Sequence, residues 1–341
     1  MPDARSAAAW LERVWYGGQG GQLLRPLGQL YRWIVALRGL CYRQGVLRSE
    51  RMGVPVLVVG NLTVGGTGKT PLTAWLVAQL VAMGRKPGIA TRGHGRKTGE
   101  VLCVSASHDA ATVGDEPLLL SRRTGVPVCV AARRADAARA LQAAGCDIVV
   151  CDDGLQHLAL SRDLEIAVVD GVRGLGNGRL LPAGPLREPP SRLDSVDFVV
   201  LNGGDDGTAG DWPGALRMRL VGSQALPLLR NEAARPLSSF NGQHVHAVSG
   251  IGNPGRFFAS LRAAGLSILE HPFPDHHAFV AADLAFDDAA PVLMTEKDAV
   301  KCEAFADTRL WYVPVEAGFA AADAARLRAG LESLCRQGER S

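Results

Sequence analysis

VPVLVVGNLTVGGTGKTP (54–71) is the stretch on which the fold turns. Val54–Val59 is a continuous apolar run of strand length, and PLTAWLVAQLVAMG (71–84) reads as a helix with a glycine stop. Between them lies a glycine-rich turn closed by Lys69 and Thr70. A strand, a flexible turn and a helix start in that order form a phosphate loop. The glycines let backbone N–H groups face phosphate oxygens, and the helix N-terminus adds partial positive charge. Residues Thr63, Val64, Gly65, Gly66, Thr67, Gly68, Lys69 and Thr70 are the expected nucleotide contacts. Lys69 supplies charge at the β- and γ-phosphates, and the Thr70 hydroxyl is suited to ligate Mg²⁺. The generic pattern has glycine where Thr63 stands here. Pro71 fits the first helical turn, where its missing N–H has no partner to lose.

Working outward, strands alternate with helices. KPGIATRG (86–93), GVPVCVA (125–131), CDIVVCDDG (146–154), LEIAVVDG (164–171) and DSVDFVVLNG (194–203) read as strands, with helices near 116–123 and 135–145. This alternation predicts an α/β fold of the phosphate-loop NTPase kind, with a doubly wound, mostly parallel sheet. CDIVVCDDGLQH ends its strand on Asp152 and Asp153, carboxylates suited to hold Mg²⁺ directly or through water. Strand alternation turns only one of the two toward the metal, and either residue could be that one. Gln156 and His157 follow within reach. TRGHGR (91–96) sets Arg92, His94 and Arg96 on a flexible turn suited to anions. GDEP (114–117) sets Asp115, a candidate N-cap, and Glu116 before a helix, and GNGRLLPAGPLREP (176–189) ends in Arg187 and Glu188.

With 341 residues the chain exceeds what one core usually organises, so two lobes are expected. The expected divisions are a basic segment at 1–51, a nucleotide lobe at 52–203, a connection at 204–240, a smaller α/β lobe at 241–330 and a polar tail at 331–341. Residues 1–51 carry eight arginines against three carboxylates, interleaved with Trp10, Trp15, Leu27, Leu30, Trp33 and Leu37. Gly17, Gly18, Gly20, Gly21 and Pro26 split this segment into two helices. Such a helix can lie in a headgroup layer or pack on the protein's own core. The net charge of +3 is too small to imply nucleic acid, and nothing points to an obligate protein partner. Seven scattered cysteines without ligand spacing read as free thiols in a reducing cytoplasm. There is no signal-peptide pattern and no apolar run long enough to span a bilayer, so a soluble or peripheral protein is expected.

The ordered set VGNLTVGGTGKTP, TRGHGR, GDEP, DDGLQH, LPAGPLREP, SGIGNPGRFF, FPDHH and MTEKDAVKC resembles the tetraacyldisaccharide 4'-kinases, the lipid A 4'-kinases of Gram-negative bacteria. The resemblance runs from the basic segment to about residue 330. It implies transfer of the ATP γ-phosphate, with Mg²⁺, to the 4'-hydroxyl of a tetraacylated glucosamine disaccharide 1-phosphate. That substrate is lipid-linked and membrane-bound, which places the enzyme on the cytoplasmic face of the inner membrane, docked through residues 1–51. The resemblance further implies Asp115 as catalytic carboxylate with His276 as its histidine partner, and Asp152, Asp153 and Glu188 around the metal. Arg92, Gln156 and Arg187 are implied as weaker substrate contacts. The family tolerates Thr63 but has Tyr where His94 stands. Of the adjacent His276 and His277, motif position favours His276. A soluble small-molecule kinase or ligase, or a nucleotide-switched binding ATPase, would share the phosphate loop, but the switch class does not require a second lobe carrying FPDHH.

Overall fold

The computed structural model describes residues 4–338 except 18–19, 94–95, 97–98, 106, 205–211 and 230–231, with backbone alone for 4–9. His94 therefore lies outside the described residues, as do the last three residues of the chain. Among the described residues two sheets dominate. The larger has nine strands in the order Glu316–Phe319, Leu216–Val221, Phe198–Asn202, Leu164–Asp170, Val56–Gly60, Ile148–Asp152, Pro87–Thr91, Val128–Val130 and Leu102–Cys103. Its pairings are parallel except at the two edges. Val56–Gly60, Ile148–Asp152 and Leu164–Asp170 are buried along their whole length. Continuous apolar strands of this sort follow from cover on both faces. Val56 and Val58 pack on one side with the helix Arg134–Ala143, whereas Leu57 and Val59 pack on the other with Lys69–Ala82.

The smaller sheet has six strands, ordered Arg235–Pro236, Gln224–Pro227, Leu310–Val313, Val292–Thr295, His244–Ser249 and Ser267–Pro272, the last four parallel. The stretch 204–240, read as a connection, supplies one strand to the large sheet and two to the small one. The chain returns to the large sheet through Glu316–Phe319. Its two crossings lie side by side, since a Cβ at Gly222 would stand 3.1 Å from the carbonyl of Pro314.

Three further expectations differ from the structure. The helix Ala321–Gly338 runs through most of the supposed tail, because Leu327, Leu331 and Leu334 form one helical face that is buried against the large sheet. Cys103 and Cys129 are a disulfide, being opposite one another on the antiparallel edge pair, a register invisible in the sequence. The other five cysteines are free thiols. Helix Asp115–Thr124 is capped by Gly114 instead of Asp115.

Near the N-terminus, helices Ala4–Tyr16 and Arg25–Arg43 are joined through a short 3₁₀ turn. Gly28 is where the second helix meets the body, since a Cβ there would lie 3.0 Å from the Ala183 methyl. Its opposite face is unburied: Leu27, Leu30, Trp33, Ile34 and Leu37 are all exposed, Trp33 by 69%. No helix among the described residues is long and apolar enough to cross a membrane.

Leu331 is fully buried between the last helix and the large sheet. Leu331→Ala is expected to lower unfolding free energy by about 2–5 kcal/mol, measured by denaturant titration; a loss near zero would mean that the helix is not docked.

Candidate active site

Parallel strands place their carboxyl ends on one edge, and ligands of open α/β sheets gather there. In the large sheet those ends are Gly60, Thr91, Asp152, Asp170 and Asn202. In the small sheet they are Ser249, Pro272 and Thr295. The two edges border one cleft of about 1680 Å³. Contacts across it are close: a Cβ on Gly252 would stand 3.2 Å from the amide nitrogen of Gly66. Arg256 Nη2 donates to the carbonyl (2.9 Å) and side-chain oxygen (2.8 Å) of Asn202. Arg123 Nη1 pairs with Glu296 at 3.0 Å.

The phosphate loop is held from outside itself. The Val64 amide donates to Pro185 O (2.9 Å), and the Arg187 amide donates to Leu62 O (2.7 Å), so Thr63 is buried against a short antiparallel bridge. Asn61 Nδ2 donates to Thr63 O at 2.8 Å, and Asn202 Nδ2 to Thr67 O at 2.9 Å. Gly65 (φ 106°) and Gly68 (φ 91°) take conformations that disfavour side chains. At Gly68 a Cβ would also collide with the Asn202 amide. Thr70 and Lys69 open the helix, and Lys69 Nζ lies 3.1 Å from Asn61 Oδ1 and 3.4 Å from Asp153 Oδ1.

The sequence-expected polar residues converge beside the loop. Asp152 is fully buried and accepts from Thr73 Oγ1 at 2.9 Å. Burial, then the charges of Glu116 and Asp153, push its carboxyl up to about 6, against the pull of Lys69. Asp153 behaves oppositely. Burial raises it, but Lys69 and Arg187, the latter at 3.3 Å, together hold it at about 2. Glu188 accepts from Gln156 Nε2 at 2.9 Å, and Arg187 Nη1 reaches Gln156 Oε1 at 3.4 Å. Arg92 lines the same cleft. Burial, with Arg134 and Arg92 nearby, pushes His157 down to about 4, so it is neutral.

Across the lobes, His276 Nδ1 lies 3.0 Å from Asp115 Oδ2. Asp115 is buried behind the imidazole, with Oδ1 accepting from the Glu116 amide, while His276, Glu116 and Asp275 face the cleft. Burial raises Asp115, but the His276 hydrogen bond and Lys297 outweigh it and hold the carboxyl at about 2. The Asp115 hydrogen bond in turn raises His276 above its ordinary value. His277 instead contacts Asp283 at 2.9 Å, within its own turn. Asp153 (φ 51°) and His276 (φ 59°) are the non-glycine residues with positive φ among those described, and such strain gathers at functional sites.

Four participants escaped the sequence reading. Lys297 Nζ donates to Glu116 at 2.8 Å, Asn202 and Arg256 brace the loop, and Arg38 Nη1 of the N-terminal helix donates to Gln156 O at 3.1 Å. Lys297 and Arg256 did lie inside MTEKDAVKC and SGIGNPGRFF, in the first turn of the helix that follows a strand. The signal was their position, and it carried no role.

The LpxK family profile, tetraacyldisaccharide-1-P 4'-kinase, matches residues 21–335. A tetraacyldisaccharide 4'-kinase from Alkalilimnicola ehrlichii is 53% identical over 312 residues, covering 91% of this chain and 92% of the relative. One from Methylobacillus flagellatus is 48% identical over 333 residues, covering 97% and 98%. The crystal structure of LpxK from Aquifex aeolicus in complex with ATP superposes with a TM-score of 0.76 at 28% identity, covering 92% of this chain and 99% of that one.

Replacing Gly68 by Ala is expected to weaken magnesium-ATP binding by at least about tenfold, because the added carbon strains the backbone and displaces Asn202. Calorimetry provides the check, and unchanged affinity would contradict the loop geometry.

Proposed function

The chain belongs to the tetraacyldisaccharide-1-P 4'-kinase family, and from that premise we propose how its own residues carry the chemistry. The activity is ATP-dependent phosphorylation of a tetraacyldisaccharide at its 4'-position, a step of lipid A biosynthesis. A bond forms between the 4'-oxygen and the γ-phosphorus, the bond from that phosphorus to the β,γ-bridging oxygen breaks, and ADP leaves with the bridging oxygen. Catalysis of such a transfer is mostly positioning and charge stabilisation. Residues 65–70 cradle the triphosphate through their amides, with Thr63 and Val64 anchoring the loop to the Pro185–Arg187 backbone, and Lys69 neutralises its β- and γ-oxygens.

Mg²⁺ fits the oxygen donors beside the loop: the Thr70 hydroxyl, Asp152, Asp153 and Glu188. Asp152, buried and pushed up to about 6, is a carboxylate that a cation would relieve. No cluster of three carboxylate, His or Cys groups stands ready to hold a metal among the described residues, so a bound ion would take its remaining oxygens from phosphate and water. When bound, the ion neutralises charge that develops on the transferring phosphoryl group.

The observation that carries the reading is the 3.0 Å contact between Asp115 of one lobe and His276 of the other. A carboxylate at Nδ1 fixes the proton there and leaves Nε2 to accept the 4'-hydroxyl proton late in the transfer. Asp115, held at about 2, is a weak acceptor alone; the proton comes to rest on the imidazole, whose cation Asp115 then stabilises. Arg92, Gln156 and Arg187 are assigned to contacts with the substrate or with phosphate. Because Asp115 and His276 come from different lobes, the pair depends on the lobes standing together, and their approach over the substrate excludes water.

The substrate's acyl chains keep it in a membrane, and the helix Arg25–Arg43 supplies the docking face on the cytoplasmic side. That reading is supported by the exposed stripe of Leu27, Leu30, Trp33, Ile34 and Leu37, and by Tyr31, Arg32 and Arg38 of the same helix lining the cleft.

Two measurements test the proposal. With labelled ATP and the disaccharide 1-phosphate in detergent micelles, Asp115→Ala and His276→Ala are each expected to lower kcat by about 10²–10⁴-fold with KM for ATP little changed. Turnover within a few-fold of wild type would remove the pair from the chemistry. Replacing Leu30, Trp33 and Leu37 together by Ser is expected to reduce co-sedimentation with anionic vesicles by about tenfold or more; unchanged sedimentation would move the docking surface elsewhere.

A further inference from the structure

Lys297 opens the helix Glu296–Cys302 directly after the strand Val292–Thr295, and its ammonium sits at the centre of the junction between lobes. Nζ lies 2.8 Å from Glu116 Oε1, 3.6 Å from Asp275 Oδ1, 3.9 Å from Asp115 Oδ2 and 3.4 Å from His276 Nε2. Its side chain retains only 16% exposure. An ammonium group has three donors and no lone pair, so it can approach an imidazole nitrogen closely only where that nitrogen carries no proton. The hydrogen-bond directions around His276 are therefore set from both sides. Asp115 requires a proton on Nδ1, and Lys297 requires a bare lone pair on Nε2.

We infer that Lys297 is a positioning residue: its ammonium, 3.4 Å from His276 Nε2, holds that lone pair unprotonated until the 4'-hydroxyl takes its place. Its charge opposes the pull of Asp115 and Asp275 toward the imidazolium. The inference rests on the assignment of His276 as proton acceptor and adds to it the group that prepares the acceptor. The charges facing this imidazole come from three elements. Asp115 and Glu116 belong to the helix Asp115–Thr124, Asp275 to the histidine's own loop at 3.8 Å from Nε2, and Lys297 and Lys301 to the helix Glu296–Cys302. Lys301 is taken up by Asp298 at 2.7 Å. Asp115 and Asp275 both favour the imidazolium, and Lys297 is the charge that opposes them.

Without Lys297 the charge that opposes Asp115 and Asp275 would be gone, and an imidazolium with Nε2–H turned to Asp275 has no site for the hydroxyl proton. Glu116 holds the ammonium in place and is itself supplied by the lobe opposite Lys297, so the arrangement exists only when the lobes are together. Desolvation lowers the charged form of Lys297, but Glu116, Asp115 and Asp275 more than compensate and raise it above its ordinary value. The lysine thus stays cationic throughout the range in which histidine titrates.

The sign of the expected pH effect follows directly. As pH falls through the His276 pKa, the acceptor is lost and kcat declines on an acid limb. A nearby cation lowers that pKa, so removing it moves the limb toward higher pH. For the full-length enzyme, Lys297→Gln and Lys297→Met are each expected to shift the acid limb of kcat upward by about one pH unit. The loss of rate is then greatest at low pH and partly recovered at high pH, with KM for ATP little changed. Lys297→Arg, which keeps the charge, should leave the limb near its wild-type position. His276→Ala separates the two layers of the argument. If its residual activity still shows the wild-type acid limb, His276 is not the acceptor, and both readings fall. If the limb vanishes in His276→Ala yet stays in place in Lys297→Gln and Lys297→Met, the acceptor stands and the role of Lys297 is overturned. Nitrogen NMR of the His276 ring in wild type and Lys297→Met gives the same answer without turnover: an unshifted titration refutes the inference.

Discussion

A loop that binds phosphate through its amides cannot spend those amides on its own folding. Everything around residues 63–70 answers that constraint. Support comes from the Asn61 side chain beneath the turn, from the Pro185–Arg187 backbone on one flank and from Asn202 on the other. Asn202 is gripped in turn by Arg256 of the second lobe, so the nucleotide loop and the position of the smaller sheet are mechanically linked. Buried polar groups generally need partners, and here the partners are arranged so that the loop's carbonyls are satisfied while its glycine amides stay open.

The parts of this architecture that were legible in the sequence are those written locally. Val54–Val59, the glycines and Lys69-Thr70 specify strand, turn and helix within one short window. The placement of Asp152 and Asp153 beside the phosphate loop follows from strand ends sharing an edge, which the alternating pattern anticipates, whereas Arg187 and Glu188 stand on a loop between Asp170 and Phe198 and were tied to the site by the family resemblance. What was illegible depended on pairings distant in sequence. The register opposing Cys103 to Cys129 belongs to an edge strand of two residues, too short to announce itself. The return of Glu316–Phe319 to the large sheet, and the docking of Leu327, Leu331 and Leu334 behind it, require knowing where the second lobe ends in space. Lys297 was visible only as a letter in a motif, because its meaning lies in Glu116, 181 positions earlier.

The two lobes repeat one physical idea. Each is a mostly parallel sheet whose strand ends carry polar residues, and the chain crosses between them at two neighbouring points. The first lobe contributes the elements common to any nucleotide site. The second contributes His276, Lys297 and Arg256, which act on groups of the first, and Asp275, which pairs with Lys297. Splitting a charge network across a joint makes its electrostatics conditional on geometry: apart, Lys297 and Glu116 are ordinary solvated ions, and together they fix each other and the imidazole beside them.

The helix Arg25–Arg43 presents its bare apolar stripe on one side and a wall of the cleft on the other, with Arg38 touching the backbone of Gln156. A helix seated in lipid by the first side would bring the second side to headgroup depth. Encounter with substrate would then occur by diffusion within a plane instead of through bulk water. Velocity would follow the substrate's mole fraction in the surface, and inert lipid or detergent would act as a diluent even at constant total substrate.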